Sequence, residues 1–106
     1  MLAIGSDRLI EALHGELKTQ GRRPYSIPVG GSNGLGSWGY VEAAGELKKQ
    51  MATLNMQVTD VAFACGSGGT AAGLAIGSRL CQLGATSEGE TAKVHAFAVC
   101  DSVSGR

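Results

Sequence analysis

The chain has 106 residues, with nine basic and nine acidic side chains, so its formal net charge is zero. This length corresponds to one domain or part of one, and the even charge gives no basic patch that would favour nucleic acid as a partner. The longest apolar runs fall far short of the roughly 20 residues that span a bilayer, so no membrane segment is predicted. Three cysteines without CxxC spacing, and no histidine cluster, argue against a disulfide framework and a metal site and favour a reducing cytoplasm.

Apolar residues at helical and at extended spacing alternate along the chain. Leu9, Leu13 and Leu17 form the stripe of a first helix that Gly21 ends, and a short apolar run flanked by prolines predicts the first strand. The 17 glycines are interpreted as concentrated in the loops. The predicted elements, in chain order, are helix 6–20, strand 25–29, helix 37–51, strand 59–65, helix 70–83 and strand 93–100, after which a fourth helix could begin at Asp101.

Strands that alternate with helices predict an α/β fold, a three-layer αβα arrangement with a parallel sheet in the middle. Residues 1–106 are interpreted as a single, partial domain of this kind. Ligands of such sheets bind beyond the carboxyl ends of the strands. The predicted strands end at Val29, Cys65 and Cys100, so the glycine-rich loops that follow the first two strands are expected to be neighbours in one crevice.

The loop after the second predicted strand has the composition of an anion site. It reads Gly66-Ser67-Gly68-Gly69-Thr70 and leads directly into a helix. Glycines allow a sharp turn and a close approach of the backbone to a ligand, and the first N–H groups of a helix have no partner within it. The loop has no lysine and is therefore not a Walker A loop. A phosphorylated small molecule is the predicted ligand.

Two other functions stay open on the residues alone. Glycine patterns of the dinucleotide type lie over residues 34–39 and 66–71, and they would suit an oxidoreductase segment. Such a site also needs an acid at the end of the following strand for the ribose. The first pattern is followed there by Cys65, and the second by Asp101 at a long spacing, so the match is weak. The other alternative is a module that binds a phosphorylated metabolite without turning it over.

Polar and aromatic side chains around the first glycine-rich loop allow two interpretations each. Ser32 and Asn33 could hold a carboxylate through their hydroxyl and amide groups, or they could cap the turn. Trp38 and Tyr40 could stack on a planar ring or belong to the core. No catalytic residue is predicted, because the cysteines have no histidine or lysine nearby that would activate a thiol.

Two stretches of the sequence, residues 23–33 with 36–43 and residues 64–74, together resemble the D-cysteine desulfhydrase and aminocyclopropane-carboxylate deaminase family. The first covers residues 23–33 and 36–43 and contains the run Pro-Val-Gly-Gly-Ser-Asn, which is nearer to the desulfhydrases than to the deaminases. The second covers residues 64–74 and resembles the family's loop for the phosphate of pyridoxal phosphate. Two linked stretches are far more specific than either glycine pattern alone.

The resemblance implies a tryptophan-synthase-type fold, fold type II of the pyridoxal-phosphate enzymes, with this chain as part of the large domain. It implies pyridoxal phosphate as the cofactor and a lyase or deaminase of amino-acid metabolism. Such an enzyme converts a small amino-acid substrate into a 2-oxo acid, ammonia and, in desulfhydrases, sulfide, and it is a homo-oligomer. The residues implied to bind the cofactor phosphate are Gly66, Ser67, Gly68, Gly69 and Thr70. Those implied to border cofactor and substrate are Gly30, Gly31, Ser32 and Asn33.

The chain departs from the family pattern where the covalent chemistry is concerned. In the family the Schiff-base lysine lies upstream in an Asn-Lys segment, which this sequence lacks, as it lacks the small domain and the stretch that faces the pyridine nitrogen. We therefore expect a central fragment without turnover of its own, whether the complete enzyme takes D-cysteine or aminocyclopropane-carboxylate. A sheet edge and apolar surface left uncovered are expected to favour association.

Overall fold

The computed structural model describes residues 5–100, and the helix predicted from Asp101 lies outside them. The elements, in chain order, are α1 (Ser6–Thr19), a single 3-10 turn (Val29–Gly31), α2 (Gly34–Thr53), β1 (Asp60–Cys65), α3 (Gly69–Cys81) and β2 (Lys93–Ala98). None of the helices within residues 5–100 is long and apolar enough to cross a membrane.

The ends of α2 and α3 are set by identifiable hydrogen bonds. α2 begins at Gly34, earlier than the predicted residue 37, because the Asn33 carboxamide accepts the Gly36 N–H at 2.7 Å. α3 ends at Cys81, before the predicted residue 83, where Gln82 takes a left-handed φ of 56°. The Lys48 ammonium of α2 donates to the Cys81 carbonyl at 2.6 Å and so caps the carboxyl end of α3.

β1 and β2 form a parallel sheet. Asp60 faces Lys93 at its amino end, and Cys65 faces Ala98 at its carboxyl end. α3 is the crossover between the two strands, as parallel pairing requires. The described residues therefore form an α/β arrangement with a parallel sheet, which the alternation of elements predicts.

The strand predicted over residues 25–29 does not form. The segment pairs with neither β1 nor β2, so the described sheet has two strands where three were predicted. Pro24 and Pro28 have no N–H group to donate to a neighbouring strand. Directly after them, Gly30 takes a φ of 70° and turns the chain towards α2.

α2 and α3 lie side by side and run in the same direction. Gly73 of α3 lies against Tyr40 of α2, and one turn further along both helices Gly77 lies against Ala44. These positions allow the two backbones to approach closely because glycine has no side chain to separate them. As a result, the amino ends of both helices lie on the same side of the molecule.

The hydrophobic core lies at the opposite ends of these helices. Met51, Leu83 and Ala92 are buried there, and the Ala92 N–H donates to the Leu83 carbonyl at 2.8 Å. The partly buried residues packed against them are Leu47, Val58, Val61 and Cys81. Elsewhere large apolar side chains are exposed, such as Leu80 (68%) and Phe97 (62%). Such surface favours association, which stays a prediction.

Asp60 connects the two strands through side chains at the amino end of the sheet. Its Oδ1 lies 2.8 Å from Nε2 of His95 on β2, and the Thr59 hydroxyl donates to its Oδ2 at 2.7 Å. The Thr59 hydrogen bond, followed by the His95 contact, holds the pKa of Asp60 below its ordinary value. The ionised carboxylate is therefore favoured by folding.

We expect the folded chain to lose stability as the pH falls below about 4, and an Asp60→Asn variant to lose less. Because the pKa of Asp60 in the folded chain lies below the unfolded value of 3.8, its contribution is complete above that value and disappears as the pH falls through the folded pKa. Thermal unfolding followed by circular dichroism from neutral to acid pH measures this. A Glu88→Gln control in the exposed turn before β2 should keep the full acid dependence; equal loss in the Asp60→Asn variant would contradict the assignment.

Candidate functional site

The two glycine-rich loops meet at the amino ends of α2 and α3, as the positions of the predicted strand ends lead one to expect. Ser32 Oγ of the first loop lies 2.5 Å from Ser67 Oγ of the second. The Gly69 N–H, at the start of α3, donates to the same Ser32 Oγ at 3.1 Å. Gly30 lies so close to Ser67 that a side chain at position 30 would collide with the serine. The loops are therefore in direct contact.

The second loop presents its backbone N–H groups as a cradle. Gly68 takes a φ of 96° and serves as the N-cap of α3, and its carbonyl accepts the first bond of the helix, from the Ala72 N–H at 3.0 Å. The N–H groups of Ser67, Gly68, Thr70 and Ala71 have no acceptor among residues 5–100. Unpartnered amides at a helix start are the donors that a phosphate needs, so the loop fits such a group.

Two helix dipoles add to this cradle. Because α2 and α3 are parallel and begin together, the positive ends of both point to the same region. Each helix start is equivalent to roughly half a positive charge. The side chains that line the adjoining cavity carry no charge of their own, so any positive potential there comes from the dipoles and the amides.

The cavity next to the loops has a volume of about 440 Å³. One part of its wall carries hydroxyl and amide groups, and the rest is apolar. The polar and glycine lining residues are Ser32, Asn33, Gly34, Ser37, Ser67, Gly68 and Gly69, and the others are Trp38, Val41, Ala72 and Ile76. A small molecule with an anionic end and an apolar body suits this wall.

Some sequence-predicted residues line the cavity and others do not. Ser32, Asn33, Ser67, Gly68 and Gly69 line it. Gly66, Thr70, Gly30 and Gly31 belong to the two loops without lining the cavity. The lining residues that were not predicted as site residues are Gly34, Ser37, Val41, Ala72 and Ile76. A hydroxyl in the first turn of α2 was an available signal for Ser37, whereas Val41 and Ile76 depend on how the helices pack.

Trp38 lies on the cavity wall and is 57% exposed, so it is not a core residue. Contact with a ligand in this cavity stays a prediction. Tyr40 contacts Gly73 of α3 instead, and its role is in the packing of the two helices.

Cys65 and Cys100 lie near the site, and neither thiol has a histidine or carboxylate as hydrogen-bond partner among residues 5–100. The Cys100 thiol donates to the Gly66 carbonyl at 3.8 Å. His95 is occupied with Asp60 at the other end of the sheet. No group of three His, Cys, Asp or Glu side chains that could hold a metal ion occurs in the described range, residues 5–100. Asp101, the acid of the dinucleotide alternative, lies outside the described residues.

Comparison with known proteins adds an independent finding. No protein-family model matches the chain. It is 50% identical over 101 residues to the mitochondrial bifunctional D-cysteine desulfhydrase/1-aminocyclopropane-1-carboxylate deaminase of Arabidopsis thaliana, an alignment that covers 93% of this chain and 23% of that protein. It is 52% identical over 61 residues to the D-cysteine desulfhydrase of Serratia proteamaculans (58% of this chain, 18% of that protein). It is 42% identical over 73 residues to a putative 1-aminocyclopropane-1-carboxylate deaminase of Pyrococcus abyssi (69% and 22%). The chain thus spans about a fifth of the length of these relatives.

Proposed function

Because the chain belongs to the D-cysteine desulfhydrase/1-aminocyclopropane-1-carboxylate deaminase family, we propose that it forms the phosphate end of a pyridoxal-phosphate site in an enzyme of this kind. The observation that carries the proposal is the cradle of N–H groups of Ser67, Gly68, Thr70 and Ala71, which have no acceptor among residues 5–100, at the point where two helix amino ends converge. The complete enzyme would act on a small amino acid such as D-cysteine and release ammonia, sulfide and a 2-oxo acid.

The loop amides and the apolar cavity wall would contact different parts of the cofactor. The amides of Ser67, Gly68, Thr70 and Ala71 would hold the phosphate, with the Ser67 hydroxyl as a further donor. Trp38 and the other apolar side chains of the cavity would cover the rest of the molecule and exclude water from it. When bound, pyridoxal phosphate supplies an electron sink for the carbanion chemistry of amino acids.

Asn33 is the residue best placed to hold a substrate carboxylate. Its Oδ1 already accepts the Gly36 N–H at 2.7 Å, so the NH₂ group of the same amide is the part left to donate to a ligand in the cavity it lines. Both interpretations of Asn33 from sequence, cap and ligand, are thus compatible with one side chain.

None of the four lysines of the chain lies on the cavity wall. Lys48 donates to the Cys81 carbonyl at the far end of α3, and Lys93 begins β2 at the amino end of the sheet. Lys18 is in the last turn of α1, and Lys49 lies one residue after Lys48 in α2. The proposed role of this segment is therefore to bind and orient, with the covalent lysine supplied from elsewhere in the complete enzyme.

The proposal is tested by following the amide resonances of the ¹⁵N-labelled chain during titration. Inorganic phosphate and pyridoxal phosphate should both shift Ser67, Gly68, Thr70 and Ala71. Pyridoxal without phosphate should leave them in place, and it controls for reaction of the aldehyde with surface lysines. If neither phosphate compound moves these amides, the proposed function is wrong. If NAD alone moves them, the dinucleotide alternative takes its place.

A further inference from the structure

Ser32 lies in the first glycine-rich loop, but its side chain caps the amino end of α3. The N-cap of α3 is Gly68, which has no side chain to accept a hydrogen bond from the first amides. The Ser32 hydroxyl, from the other loop, accepts the Gly69 N–H at 3.1 Å instead. It also lies 2.5 Å from the Ser67 hydroxyl, so one oxygen connects the helix start to the second loop.

The donor of the bond between the two serines is inferred from the other bond that Ser32 makes. A serine hydroxyl has one hydrogen to donate and two lone pairs that accept. The Ser32 hydroxyl oxygen uses one lone pair to accept the Gly69 N–H. That hydrogen bond polarises the Ser32 O–H group and makes the hydroxyl a better donor. Either hydroxyl could donate at this distance; with Ser32 as the donor, which its polarised O–H favours, the Ser67 hydrogen is free to point elsewhere. Both serines line the cavity, so the free hydrogen of Ser67 would be available to an anion bound there.

We infer that Ser32 is a positioning residue, which orients the Ser67 hydroxyl as a donor to the phosphate and does not contact the ligand itself. The hydrogen-bond chain runs from the Gly69 N–H through Ser32 to Ser67. This inference rests on the proposed phosphate site and changes the role implied by resemblance, in which Ser32 borders cofactor and substrate.

Phosphate titrations of the 106-residue chain and of three variants test the inference. Removing a hydrogen bond to a charged group weakens binding about tenfold or more, so we expect at least that loss for Ser67→Ala. Ser32→Ala should weaken binding by a smaller but measurable factor. The double variant should bind phosphate no more weakly than Ser67→Ala alone, because Ser32 acts only through Ser67. Multiplying losses, or no loss for Ser32→Ala, would overturn the inference.

Hydrogen exchange of the Gly69 amide gives a second readout that needs no ligand. Ser32→Ala should remove the protection of this amide, whereas Ser67→Ala should leave it protected. Ser26→Ala is the matched control, since it removes a hydroxyl that lies 2.8 Å from His14 Nδ1, away from the cavity. It should change neither phosphate affinity nor the exchange of Gly69. Phosphate binding that is absent from the unaltered chain contradicts the proposed function itself, whereas binding with unchanged Gly69 exchange in Ser32→Ala contradicts only the role of Ser32.

Discussion

A Gly68→Val variant is expected to lose phosphate binding altogether. Gly68 takes a φ of 96° as the N-cap of α3, a conformation that a β-branched residue avoids at a cost of about 1–3 kcal/mol. A Cβ at this position meets nothing within 4 Å, so the valine side chain would extend into the open space beside the cradle, where the proposed anion lies. Titration with inorganic phosphate, followed at the Ser67 and Thr70 amides, measures the loss.

The Gly89→Val variant is a control that distinguishes blocking of the proposed site by the Gly68→Val side chain from the general effect of backbone strain. Gly89 has a φ of 85° and equally open surroundings, and it lies in the turn between α3 and β2, outside the cavity. The two variants should therefore be destabilised to a similar extent, while only Gly68→Val loses phosphate. Binding of unaltered strength in Gly68→Val would show that the anion is held somewhere other than this loop.

The sequence predicts the position of the second glycine-rich loop between strand and helix well because the signal is local. Glycines and hydroxyl residues between an apolar strand and a helix specify the turn and its free amides within a few residues. The meeting of the two loops follows from a general rule about the carboxyl ends of parallel strands. That expectation was correct for the loops even though the strand before the first of them does not form.

What sequence reasoning left open, or judged wrongly, depends on contacts between distant residues. Ser32 and Asn33 could be capping or ligand residues, and the structure shows both as caps, Asn33 of its own helix and Ser32 of α3. The second contact joins residues 37 positions apart, which no local pattern reveals. The prediction of a strand over residues 25–29 was wrong for a related reason: a strand needs a partner strand, which lies elsewhere in the sequence, to pair with.

Glycine was the residue most misjudged. Its abundance was interpreted as loop composition, yet eight of the 17 glycines lie in α1, α2 and α3. Gly73 and Gly77 are spaced one turn apart on the face of α3 that meets α2. This close packing brings the two helix starts together, so it determines where the cradle and the cavity wall lie.

We expect Gly77→Leu to have the largest effect on stability of any change considered. A Cβ at position 77 would come within 2.8 Å of both the Ala44 side chain and the Val41 Cα, and the rest of a leucine has no room between the helices. Overpacking of this kind costs about 1–3 kcal/mol and sometimes more. A small domain has only about 5–15 kcal/mol in total, so the variant should melt far below the unaltered chain or fail to fold. Thermal unfolding followed by circular dichroism measures this.

Gly45→Ala in α2 is the matched control, because a Cβ there meets nothing within 4 Å. Alanine is the better helix former, so this variant should be more stable by about 0.5–1 kcal/mol. The two glycines therefore predict changes of opposite sign, which depend only on whether the partner helix is in contact. If Gly77→Leu unfolded at the same temperature as the unaltered chain, α2 and α3 would not pack through this face. The shared position of their amino ends, on which the proposed phosphate site depends, would then lose its structural basis.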